Sequence, residues 1–161
     1  MSVRSVRSMI IACLGLMTAA PLMAQKADST ISMDSLRTLL RTGKRAIVDS
    51  NMSLTAAEAT KFWPVYDAYQ ADLAKINTRT GTLIKGYADA YNKGGVTDAV
   101  ATQMTSDFIA IESDRVALMQ SYLPKFSAVI PPRKVARYYQ IENKLRAVLN
   151  FALADQIPLV Q

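Results

Sequence analysis

The chain has 161 residues, 50% of them hydrophobic and 20% charged, with 19 lysines and arginines against 13 acids. It contains no histidine and one cysteine, Cys13. A Ser-His-Asp or Cys-His nucleophile, or a zinc site of the usual nitrogen and sulfur type, cannot be assembled from that inventory. The length suits one domain with a short appendage.

Residues 1–24 read as a secretory signal peptide. Arg4 and Arg7 stand ahead of the apolar run Met9–Ala20, and Leu22-Met23-Ala24 offers a small residue before Gln25. That order of basic start, short apolar stretch and small-residue end predicts cleavage after Ala24 and export to the periplasm. The run is too short to span a bilayer, which takes about 20 apolar residues. Residues 25–161 are then expected to form a single helical domain. Losing Arg4 and Arg7 leaves this mature chain basic, and losing Cys13 leaves it without a thiol, so packing alone must stabilise it.

In chain order the first predicted helix covers about 33–49, with Met33, Leu36, Leu39, Leu40, Ile47 and Val48 at helical spacing. Ser32 is placed as its N-cap, and Asp49-Ser50-Asn51 reads as a turn. Thr55 followed by Glu58 is a capping box, with Leu54 positioned as a hydrophobic staple. It opens a second helix over about 56–92. There Phe62, Tyr66, Tyr69, Leu73, Ile76, Thr80, Leu83 and Tyr87 alternate by four and three residues, a heptad seam. Pro64 predicts a kink, and Lys93-Gly94-Gly95 a glycine end.

The third helix is expected from Thr97, as N-cap, to about 129. Met104, Phe108, Ile111, Leu118 and Tyr122 form one apolar stripe. Ile109, Val116, Met119, Leu123, Phe126 and Ile130 form the next, a face wide enough for two neighbours. Pro124 predicts a second kink. Pro131-Pro132 ends this helix and can begin a fourth over about 132–155, with Val135, Tyr138, Tyr139, Ile141, Leu145, Val148, Leu149 and Leu153 on its buried face. No segment alternates as a strand does. The expected fold is all-α: four helices, with a long antiparallel hairpin kinked at Pro64 and Pro124.

Two stretches 76 residues apart are alike. Leu54, Lys61 and Phe62-Trp63 correspond to Ile130, Arg137 and Tyr138-Tyr139. They read either as halves of a duplicated hairpin or as a coincidence of capping chemistry.

The stretch Leu54-Thr55-Ala56-Ala57-Glu58, opening a long amphipathic helix behind a signal peptide, resembles the Spy/CpxP (LTXXQ-motif) family of periplasmic helical proteins. The motif positions are Leu54, Thr55 and Glu58, the last where the family has glutamine. The second copy would fall at Ile130-Pro131-Pro132-Arg133-Lys134, where only the first position fits. The resemblance implies an elongated helical hairpin, often an intertwined homodimer, acting as an ATP-independent chaperone or stress-response adaptor. The family's metal-sensing role depends on histidine and is not carried over.

The candidate partner-binding residues are Phe62, Trp63, Tyr66, Tyr69, Tyr138 and Tyr139, with the basic Arg133, Lys134 and Arg137. The rings read either as a core where two helices meet or as an apolar cradle. The cations read either as solvated charge or as a rim for acidic clients or a membrane surface. Export argues against nucleic acid as a partner. Asp107, Glu112 and Asp114 do not share a helix face and make no carboxylate site. The sequence therefore predicts no catalytic residues, metal or cofactor. The expected function is a non-catalytic chaperone for unfolded or stress-damaged envelope proteins. The alternative is an envelope adaptor docking one protein partner.

Overall fold

A computed structural model describes residues 43–160. The expected signal peptide, residues 25–42 and with them most of the first predicted helix lie outside the described residues, as does residue 161. Among the described residues there are four helices and no strand, so the fold is all-α. They are α1 (Lys44–Met52), α2 (Ala56–Asn92), α3 (Asp98–Ser127) and α4 (Pro132–Ala154).

The first boundary differs from expectation. Asp49-Ser50-Asn51 is helical, and α1 ends at Met52. Ser53 then turns the chain with left-handed dihedrals, φ 48° and ψ 48°. The position carries no glycine, so its sequence gives no signal of the turn. Asn51 instead supports the helix, its side chain donating to the Ile47 carbonyl at 2.8 Å.

α2 starts as the capping box predicts. The Thr55 hydroxyl accepts from the Glu58 N–H at 3.3 Å, and the Glu58 carboxylate accepts from the Thr55 N–H at 2.8 Å. The helix continues unbroken through Pro64, as α3 does through Pro124. Both prolines face solvent, as do Thr60 and Gln120 one turn before them. The carbonyls that lose a partner to proline can therefore bond water. Gly94 and Gly95 close α2 at φ 115° and 114°, a region that only glycine enters without strain. Thr97 caps α3 by accepting from the Val100 N–H.

α2 and α3 form an antiparallel hairpin. The Tyr122 hydroxyl donates to Asp72 at 2.7 Å, Arg115 donates to Asn77 at 3.0 Å, and Arg79 pairs with Asp114. The numbers rise on α2 as they fall on α3. Five seam residues of α2, Phe62, Tyr66, Tyr69, Leu73 and Ile76, are buried. Thr80 breaks the apolar seam because buried Arg115 lies opposite and donates to its hydroxyl at 3.4 Å.

The core gathers where α1, the first half of α2, the second half of α3 and the start of α4 meet. Phe126 and Tyr138 have ring centroids 4.6 Å apart, and Phe62 lies 5.6 and 5.3 Å from them. Val48 and Met52 of α1, Ile130 and Val135 complete it. The segments 76 residues apart touch each other at corresponding positions: Glu58 binds Lys134, and Phe62 meets Tyr138 edge to face.

Farther along the hairpin the core fades. No residue of α2 after Ile76 and none of α3 before Ile111 is buried. The wide apolar face expected of α3 is only half covered. Ile111, Tyr122 and Phe126 are inside, whereas Phe108, Ile109, Val116 and Leu123 are exposed. On α4, Val148, expected on the buried face, is exposed as well.

Candidate partner surface

The aromatic set is brought together, facing inward. Phe62, Tyr66, Tyr69 and Tyr138 are buried, and Trp63 and Tyr139 are half-buried beside them. In the single chain these rings are core and offer little surface. Burial pushes the Tyr66, Tyr69 and Tyr138 hydroxyls well above the ordinary tyrosine range, and Tyr139 up to about 12. Trp63 is overlaid by Arg45, whose guanidinium carbon lies 4.1 Å from the ring centroid, a cation–π contact. Arg45 also binds Asp67 at 2.6 Å.

Two of the three candidate cations fasten helix ends. Lys134 donates to the Ser53 carbonyl at 2.7 Å and to the Glu58 carboxylate. That bond, with the Thr55 N–H, holds Glu58 below its ordinary pKa. Arg137 reaches the Asn51 carbonyl at 3.4 Å. Arg133 is exposed. Of the motif residues, Thr55 and Glu58 cap α2 and Leu54 packs half-buried on the core.

A polar cluster joins α1, α2 and α4. The Lys44 ammonium donates to Glu142 at 2.7 Å and to the Gln70 side-chain oxygen at 2.8 Å. The Gln70 amide donates to Glu142 at 2.9 Å and to the Tyr138 hydroxyl at 3.1 Å. The Lys44 and Glu142 side chains are 14% and 9% exposed. The cost of desolvating such a pair offsets much of its attraction, so its net contribution to stability is small.

The surface that presents itself lies on α3. Ile109, Val116 and Leu123, spaced by seven, are 61%, 51% and 48% exposed. At ~1.5 Å per residue they form a row roughly 20 Å long on one side of the helix. On one flank stand Ser106, Ala110, Ser113, Ala117 and Gln120, all exposed and none charged, and on the other stands Glu112, three residues from Ile109 and four from Val116. Several charged residues of α3 are engaged by other side chains. Asp114 pairs with Arg79, Glu112 lies between Arg115 and Arg146, and Lys125 sits 3.9 Å from the Tyr122 ring centroid. Near the hairpin tip, Leu83, Ile84, Tyr87, Met104, Phe108 and Ile157 line an open, mostly apolar groove of about 250 Å³. The Tyr87 hydroxyl donates to the Pro158 carbonyl at 2.8 Å, holding the chain after α4 beside this groove.

In the sequence Ile109, Val116 and Leu123 fall on an apolar stripe, for which a covering neighbour is expected. The seven-residue spacing was the available signal, but periodicity does not say whether a partner helix exists within the chain. No family model, curated protein or solved structure matches the chain.

Proposed function

We propose that this is an exported, non-catalytic helical protein that holds apolar segments of other proteins, in the manner of an ATP-independent periplasmic chaperone. The observation that carries the reading is the outer face of α3, with its exposed row Ile109, Val116 and Leu123 flanked on one side by small and uncharged residues. Large apolar side chains exposed in a row on one face of a single chain suit a partner site. Small residues between the aliphatic ones let a client backbone approach closely. The buried core at the other end of the hairpin keeps the helix in place. The leader-like residues 1–24 and the resemblance of Leu54–Glu58 to the Spy/CpxP family favour the same reading. The test is light scattering from an aggregating client protein with and without the purified protein. Suppression at equimolar ratio is expected, and none would overturn the reading.

The regularity of the row favours a second reading, an envelope adaptor docking one helix of one partner. A seam with heptad spacing suits a single helix in a fixed register. One stoichiometric partner in a pull-down, without suppression of client aggregation, would select it.

A further inference from the structure

We propose that one side of α4 is a docking surface for an anionic phospholipid bilayer. Arg133, Arg137, Gln140, Lys144, Val148 and Phe151 follow one another at intervals of four, three, four, four and three residues, so they share one stripe of the helix. All six are exposed. Their order sorts them by chemistry, with three cations and a glutamine along the first part of the stripe and two large apolar side chains at its end. At ~1.5 Å per residue the stripe is roughly 27 Å long. Arg133 and Lys144 have no acid partner among the described residues, and Arg137 gives one N–H to the Asn51 carbonyl at 3.4 Å. Glu142, the only acid of α4, is turned to the other side, where it accepts from Lys44 and Gln70. Asp49 of α1 shares the side of that helix with Arg45, which reaches Asp67 of α2. Asp155, four residues past Phe151 and exposed, continues the stripe with one acid against its three cations.

That surplus of positive charge attracts an anionic surface, and each cation held near one raises partitioning about fivefold. The guanidinium and ammonium groups can reach phosphate oxygens on their long apolar stems. The apolar end separates a bilayer from a soluble acidic partner. Phe151 and Val148 are 79% and 66% exposed, more than any other large apolar side chain of the described helices. Placed beyond the cations, they can enter the boundary between headgroups and acyl chains, where their surface leaves water. No described helix is long and apolar enough to cross a membrane, so the contact is one with the bilayer surface. Tyr139 and Arg146, about half a turn round α4 from the stripe, reach the Met119 carbonyl and Glu112 of α3. α3 therefore lies on the far side of α4, and its Ile109–Val116–Leu123 row stays clear of the bilayer. The lipid contact does not depend on what that row binds.

The experiment is co-sedimentation of the purified protein with vesicles of phosphatidylglycerol and phosphatidylcholine in equal parts, and with vesicles of phosphatidylcholine alone, at low and physiological salt. Parent and variants carry the same N-terminus, so only the substituted positions distinguish them. The parent is expected to bind the mixed vesicles, to bind the neutral ones at least about tenfold more weakly, and to lose affinity as salt rises. Arg133→Gln with Lys144→Gln should weaken binding to the mixed vesicles about 25-fold. Lys75→Gln with Lys85→Gln removes the same charge from exposed sites on α2 and should weaken it less than about threefold. Phe151→Ser should weaken it at least about tenfold, and Asp155→Asn should strengthen it about fivefold. The substituted side chains are exposed, so each variant should keep the parent's unfolding midpoint. No binding to the mixed vesicles, or equal effects of the α2 and α4 charge variants, would overturn the proposal. A loss in the α4 charge variant with none in Phe151→Ser would overturn it as well and assign the stripe to a soluble acidic partner.

Discussion

Replacing Glu142 with alanine should destabilise the bundle by about 3 kcal/mol, at the lower end of the range for breaking a buried ion pair from one side. Glu142 accepts from both Lys44 and Gln70, and the alanine leaves the Lys44 ammonium with only the neutral Gln70 side-chain oxygen and the Gln70 amide with only the Tyr138 hydroxyl. The lower end applies because the Lys44 side chain keeps 14% exposure and can draw in a water. Removing both charges as Lys44→Met with Glu142→Leu should cost much less, within about 1 kcal/mol of the parent protein, since no charge is then stranded. The assay is urea unfolding followed by circular dichroism for the parent, each single variant and the double variant. A coupling energy of about 2 kcal/mol or more between positions 44 and 142 is expected. A loss under about 1 kcal/mol for Glu142→Ala, with no coupling, would refute the buried-pair reasoning. Limited proteolysis should also cut the Glu142→Ala variant first around α1, because Lys44 is a more sheltered polar tie of that helix to α2 and α4 than the exposed Arg45–Asp67 and Arg137–Asn51 contacts.

Three further outcomes are expected. Thr55→Ala removes the hydroxyl half of the capping box and should cost about 1 kcal/mol in the same unfolding assay. Arg45→Ala uncovers Trp63, so acrylamide should quench the tryptophan fluorescence more strongly than in the parent, with little change in helix content. The buried tyrosines make stability fall in alkali. Tyr66, Tyr69, Tyr122, Tyr138 and Tyr139 have folded pKa values raised above 10, so the unfolded chain releases protons first. Their contribution is complete below pH 10 and is lost as pH rises, for Tyr139 through about 12. Absorbance at 295 nm and the circular dichroism signal should therefore change together in this range, and ionisation of these rings in a still-folded protein would contradict it.

The heptad seam of α2 was legible because each residue from Phe62 to Ile76 repeats a side-chain type at fixed spacing, and the structure buries all five. The helix ends were legible where chemistry marks them: Thr55 with Glu58, Gly94-Gly95, Thr97 and Pro131-Pro132. The turn at Ser53 was not, because a serine enters the left-handed region there, where glycine or asparagine is the usual signal. The roles of Lys134 and Arg137 were hidden for a different reason. Their acceptors lie on the turn and helix end 76 to 86 residues earlier, and no local pattern connects them. The aromatic cluster posed a question that periodicity leaves open, since core and cradle share one spacing. Packing of Phe62, Phe126 and Tyr138 against one another places them inside. On α3 the converse holds. Ile109, Val116 and Leu123 have the pattern of a covered seam, yet among the described residues no helix covers them.

The decisive measurement compares client aggregation in the presence of the parent protein and of a variant carrying Ile109→Ser, Val116→Ser and Leu123→Ser. All three side chains are about half exposed or more, so the variant should keep the parent's helix content and unfolding midpoint. The parent should suppress light scattering and the variant should not. A variant that is equally folded and protects the client equally well would show that the outer face of α3 is not where partners bind.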